Sequence, residues 1–148
     1  MSVAAEAEPK PILLLDTHAL IWSVDEGPRL GSGAKAILNK ASRESRIAVS
    51  AITPCEIALL VSKNRLQLRC DVMQWIRDAL AGPGVQLVGL DPEIAVESTR
   101  LPFEMQADPA DRILVATARQ LGATLVTADE KLLELARHRH FKAMDASA

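Results

Sequence analysis

Two short apolar runs, ILLL at 12–15 and TLV at 124–126, have the length and flanks of strands buried on both faces of a parallel sheet. Between and after them the apolar positions recur at helical spacing, broken by turn signals at GPRLGSG, AGPG and TRLP. The pattern predicts strands near 12–16, 46–50, 85–90, 123–127 and 140–144. Helices are predicted at 17–24, 32–42, 54–63, 71–81, 92–100, 109–121 and 129–138. Strand and helix alternate, which favours an α/β domain around a central, mainly parallel five-stranded sheet. No internal repeat or low-complexity block appears, so residues 12–145 read as one domain behind a flexible N-terminal tail, 1–11.

The strand ends carry acids. Asp16 follows the first run and Asp129 lies just past the fourth strand, and ligands of open parallel sheets bind beside the carboxyl ends of strands. Two helix starts add more acids: TPCE with Glu56, and DPADR with Asp108 and Asp111. One sheet edge can therefore gather four carboxylates. Such a group repels itself unless a hard divalent cation, Mg²⁺ or Mn²⁺, compensates through oxygen ligation.

Each acid also has a purely structural reading. Thr53, Pro54 and Glu56 match a capping box, with Thr at N-cap and Glu at N3, so Glu56 reads equally as cap or ligand. Asp16, Asp91 and Asp129 each precede a helix, where the N-terminal dipole favours negative charge; for Asp91, followed by Pro92, the cap reading is accepted. Helical spacing separates the remaining pair. Asp108 precedes Pro109 and is the natural N-cap. Asp111 has Leu114, Val115 and Ala118 at i+3, i+4 and i+7, which places it on the face that packs against the sheet, where a carboxylate needs a partner.

Composition narrows the classes. A chain of 148 residues buries roughly 70% of the surface its unfolded form exposes, enough to dispense with staples. Its 49% hydrophobic and 24% charged residues are ordinary for a soluble globular protein. A formal net charge of −2 argues against a general nucleic-acid binder but not against an enzyme whose acids are neutralised by metal. With 3% aromatic residues and no Tyr, platforms for base stacking are few, so nucleic acid would be held mainly through phosphates. Cations at 43, 46, 63, 65, 69, 112, 119 and 131 read mostly as solvated helix faces, with a basic rim around the acids as the alternative. Cys55 and Cys70 form no CxxC pair, which suits a reduced intracellular compartment, and MSVAAEAEPKP lacks the apolar core of a signal peptide. No run approaches the ~18–20 apolar residues of a membrane span. A cytoplasmic location is expected.

Taken in order, ILLLDTHALIW at 12–22, SAITPCEIALLVSKNRL at 50–66 and DPADRILVATARQLGATLVTADEKL at 108–132 resemble the PIN-domain ribonucleases, specifically VapC-like toxins of toxin–antitoxin pairs. The resemblance covers nearly the whole chain. It implies an α/β/α sandwich and a catalytic metal site made by Asp16, Glu56, Asp111 and Asp129, with Thr17 and Thr127 as nearby hydroxyl support. It further implies endonucleolytic, Mg²⁺- or Mn²⁺-dependent hydrolysis of a structured RNA such as tRNA or rRNA, a small VapB-like antitoxin and a toxin homodimer. Helix 54–62 and the VMQWI stretch are candidate partner surfaces, with burial in the core as the alternative.

Three positions depart from the family pattern: Cys55 where Trp commonly precedes the helix acid, Gln106 where a His is common, and Ala110 where an aromatic is frequent. None removes an acid. His18 reads as packing or capping in preference to a catalytic base, and Trp22 as core. The rival readings are a receiver-type phospho-acceptor domain, in which Asp91 would be the acceptor, and a catalytically silent domain that only binds an antitoxin.

Overall fold

The computed structural model describes residues 10–105 and 107–148. The tail expected at 1–9 and the departure at Gln106 fall outside the described residues. Lys10 and Pro11, also assigned to the tail, are tied to the body: Lys10 Nζ lies 3.0 Å from Glu44, and Arg46 donates to the Pro11 carbonyl.

The elements run β1 (Leu13–Leu15), α1 (Thr17–Asp25), α2 (Ser32–Arg43), β2 (Ile47–Ser50), α3 (Ile52–Ser62), α4 (Val72–Leu80), β3 (Val85–Val88), α5 (Pro92–Glu97), α6 (Pro109–Leu121), β4 (Thr124–Thr127), α7 (Glu130–Arg137) and β5 (Lys142–Asp145). The strands form one sheet in the order β3-β2-β1-β4-β5, and every pairing is parallel. All the expected elements are present. The central strands are buried on both faces because their residues alternate between two cores. Leu13, Leu15, Val49 and Val126 pack with α1, α2 and α4 through Leu20, Leu38 and Trp75. Leu14, Ala48 and Leu125 pack on the other side with Leu114, Val115 and Ala118 of α6. The result is the α/β/α sandwich.

Local chemistry moves some boundaries. α3 begins at Ile52, two residues earlier than the capping-box spacing implies, because the Ile52 amide donates to Ser50 Oγ at 3.2 Å and Ala51 is the N-cap. Thr53 is then inside the helix, with its buried hydroxyl unpartnered, and the proposed Thr53–Glu56 capping box does not form. α5 ends at Glu97 and not at 100; the Ser98 and Thr99 hydroxyls turn back to the Ala95 and Val96 carbonyls, an alternative to continuing the helix. β5 starts at Lys142, after Arg139 adopts a left-handed turn and Phe141 drops into the core. The AGPG turn needs its second glycine: Gly84 has φ of 74°, and a Cβ there would lie 2.0 Å from the Ser42 carbonyl oxygen.

Strand order fixes where a ligand can bind. The chain leaves β1 toward β2 on one side, and later returns to place β4 on the other. Between β1 and β4 the direction of winding reverses, which opens a crevice at their carboxyl ends. The Asp16 amide donates to the Val126 carbonyl at 3.0 Å, so the two strand ends that carry Asp16 and Asp129 are held side by side.

Candidate metal centre

Asp16, Glu56, Asp111 and Asp129, the four acids singled out in the sequence, line a single cleft of about 500 Å³ at this crevice, together with Asp108. Four different elements deliver them. Asp16 is the N-cap of α1 and accepts the Ala19 amide through Oδ1 at 2.8 Å. Asp129 caps α7, with Oδ1 accepting from Lys131 at 2.8 Å. Cap and site roles coexist, because a capping carboxylate spends one oxygen on its helix and keeps the other. Glu56, released from the capping box, lies in the second turn of α3, half-buried. Asp111 stands in the first turn of α6, above the buried Leu114, Val115 and Ala118, as the helical spacing predicts.

The electrostatics are those of a cluster in which burial and mutual repulsion outweigh the nearby positive groups. Asp16 is only 8% exposed. Its burial pushes the carboxyl above the ordinary carboxylate range, opposed by the Thr127 hydroxyl, the Ala19 amide and His18, and reinforced by Asp129. Burial and the charge of Asp108 raise Glu56, opposed by Lys63 and His18. Asp111 is affected most: burial, then Asp108 by charge and hydrogen bond, with Asp129 and Asp16, push it up to about 7. Among the described residues, none of these acids is in an ion pair.

An all-carboxylate donor set with spare oxygens suits a hard cation such as Mg²⁺ or Mn²⁺ in preference to zinc or copper. Among the described residues no three acids are drawn together closely enough to hold an ion as they stand. The fit is therefore one of donor chemistry and unmet charge, with side chains that must close in. The hydroxyls expected to help divide: Thr127 supports Asp16 and also accepts the Asp129 amide at 3.0 Å, whereas Thr17 is buried in the cleft wall.

Three residues behave differently from the sequence reading. Asp108 is the N-cap of α6, as expected, but its bond to the Asp111 amide is long at 3.4 Å, and its carboxylate also acts on Glu56 and Asp111. It belongs to the acidic cleft as well as to the helix. Trp22 packs on the core from a half-buried position and also lines the cleft, so it is not simply core. His18 is exposed on the rim, its ring 6.1 Å from that of Trp22. Arg29 joins them, unmarked in the sequence because its position depends on the loop between α1 and α2. On the far side of Asp111 and Asp129 a second opening of about 1030 Å³ contains Lys131. Most of the other cations are solvated or tied up locally; Arg119, for example, donates to the His140 carbonyl and lies over Phe103. Asp91 caps α5, accepting the Ile94 amide at 2.8 Å, after the edge strand β3 and outside the lining of the acid cleft; this supports the cap reading over that of a receiver-type acceptor.

The candidate partner surfaces divide between the two readings. Ile57, Trp75 and Ile76 are buried, while Leu59 and Met73 are 44% and 50% exposed. Cys55 and Cys70 are both free and exposed. No helix among the described residues is long and apolar enough to cross a membrane.

Comparison with known proteins agrees with this architecture. The structure of VapBC2 from Rickettsia felis, bound to a DNA fragment from their promoter, matches with a TM-score of 0.67 at 18% identity, over 90% of this chain and 97% of that one. DNA-bound VapBC from Salmonella typhimurium matches with a TM-score of 0.65 at 16% identity, over 92% and 98%. At those identities the likeness is one of fold. In sequence, the chain is 36% identical over 128 residues to ribonuclease VapC22 of Mycobacterium tuberculosis, covering 86% of this chain and 92% of that protein. The PIN domain family matches residues 13–138. The protein therefore belongs to the PIN-domain family.

Proposed function

We propose that the protein is a metal-dependent endoribonuclease, the toxin of a toxin–antitoxin pair. The observation that carries this reading is the cleft at the β1–β4 crevice lined by Asp16, Glu56, Asp111 and Asp129, none of them in an ion pair among the described residues. Similarity to a ribonuclease supports the substrate class. When bound, Mg²⁺ or Mn²⁺ supplies the Lewis acidity that lets water attack a phosphodiester near neutral pH.

Asp16, Asp111 and Asp129 are the proposed ligands, through the oxygens not committed to helix amides. Glu56 is less confined and stands opposite, a ligand or an acceptor for the proton of the attacking water. The Thr127 hydroxyl bonds Asp16 and favours its ionised form against the effect of burial. Lys131 and Arg29, on either side of the acids, can bind the phosphates before and after the scissile bond. A structured RNA such as tRNA or rRNA is the proposed substrate, acted on in the cytoplasm. A VapB-like antitoxin and a homodimer complete the proposal; the first is supported by the VapBC complexes that share the fold.

The test is cleavage of tRNA and rRNA by purified protein in chelator and after adding Mn²⁺. Activity is expected only with the ion, and Asp111→Asn should lose ~100-fold or more, the scale of one transition-state electrostatic contact. Full cleavage in chelator, or an unimpaired Asp111→Asn, refutes the proposal.

A further inference from the structure

The acidic cleft does not end at the acids. It continues past His18, Trp22, Arg29 and Leu60 into a cavity of about 280 Å³ that adds Arg65 and Asp25. This extension has a different chemistry from the metal centre: one half-buried indole, an imidazole tilted against it at 54°, and two guanidiniums that, among the described residues, are in no ion pair. In a chain with two Trp and no Tyr, one Trp is 7% exposed in the core, and the other, Trp22, opens onto this cavity.

We propose that this cavity is a nucleotide subsite. It would hold one unpaired nucleotide of the RNA adjacent to the scissile bond, with its base against Trp22 and its phosphate between Arg29 and Arg65. The chemistry is that of single-strand recognition, in which an aromatic face takes the base and cations track the backbone. Size agrees: at about 280 Å³ the cavity lies just below the usual range of ligand sites, roughly 300–1,000 Å³, which limits it to one nucleotide and excludes a duplex. Continuity agrees as well, since four residues are shared with the acid cleft and a strand crossing the acids must pass over them. Asp25 is the one acid on the lining and offers an acceptor to a base amino group. The subsite rests on the ribonuclease reading for its role but not for its existence.

Binding can be measured without catalysis. In a Trp75→Phe background, Trp22 is the single indole. Single-stranded hexaadenylate and hexauridylate, titrated in chelator, should quench its emission. The effect should weaken about tenfold in apparent affinity in Arg29→Gln or Arg65→Gln, the scale of one lost base or phosphate contact. In cleavage assays with Mn²⁺, Arg65→Gln, which lies outside the acid cleft, should raise KM about tenfold with kcat changed less than twofold, and the Mn²⁺-induced rise in melting temperature should persist. If quenching occurs but the protein cuts no RNA, the nuclease reading fails and the subsite stands. If neither oligonucleotide quenches Trp22, while active enzyme keeps its KM in Arg65→Gln, the subsite is overturned. A protein partner that shields Trp22 where RNA does not would reassign the cavity to protein binding and equally overturn it.

Discussion

Replacing Asp111 by Asn should make the metal-free protein more stable and the metal-bound protein useless. Holding the carboxyl at about 7 when its ordinary value is 3.8 costs about 4 kcal/mol of folding free energy once it is fully ionised. Solvent reaches a half-buried group and screens its neighbours, which cuts the figure to about 2 kcal/mol. Below pH 3.8 the carboxyl is neutral in both the folded and the unfolded chain, and the penalty is absent. As pH rises from there to about 7 the unfolded chain gives up the proton while the folded chain retains it, so stability falls across that window and stays low above it. Asn cannot ionise, and its amide can still donate to Asp108. In chelator at pH 8, Asp111→Asn should therefore melt about 4–8 °C above the parent, and the gap should close near pH 4. With Mn²⁺ the order reverses, because only the parent gains a ligand-bound state. Circular-dichroism melts of both proteins from pH 4 to 8, with chelator or Mn²⁺, decide the matter. Equal melting temperatures at pH 8 in chelator, or a less stable Asp111→Asn, would refute the account of an uncompensated cluster.

Asp108→Asn should keep the cap of α6, since Asn caps about as well as Asp. By removing the largest charge acting on Asp111, it should give a smaller stabilisation at pH 8 than Asp111→Asn, readable in the same melts. Gly84→Ala should destabilise by more than about 1 kcal/mol, from a positive φ and a Cβ pressed on the Ser42 carbonyl, and urea unfolding would show it as a lowered midpoint with unchanged slope.

The sequence disclosed those parts of the fold whose causes are local. Runs such as ILLL and TLV mark strands buried on both faces, and Asp108-Pro109 opens α6 where the spacing places it. The inward face of α6 was also readable, because Leu114, Val115 and Ala118 follow Asp111 at fixed helical intervals. What eluded the pattern depends on groups distant in the chain or on competing local bonds. Ser50 Oγ starts α3 early and frees Glu56, which no capping motif anticipates. Strand order arises from pairing across long separations, so the neighbourhood of β1 and β4 could be expected but not read from periodicity. Trp22 looks apolar from sequence, yet its place at the cleft is set by α1 turning past the crevice, and Arg29 reaches it from a loop.

The pairing of β1 with β4 joins residues about 110 positions apart, Leu13 beside Thr124. An order of strands in which β1 is central means that β1 cannot gain its second neighbour until about 110 further residues have been made. At about 5–20 residues per second, a ribosome has exposed Asp16 several seconds before Asp129 leaves the tunnel. A chain without β4 has no crevice, because half of its wall is still unmade. Any state in which that pairing has yet to form lacks the Asp129 wall of the cleft, so assembly of the acidic site is tied to the sheet's longest-range closure.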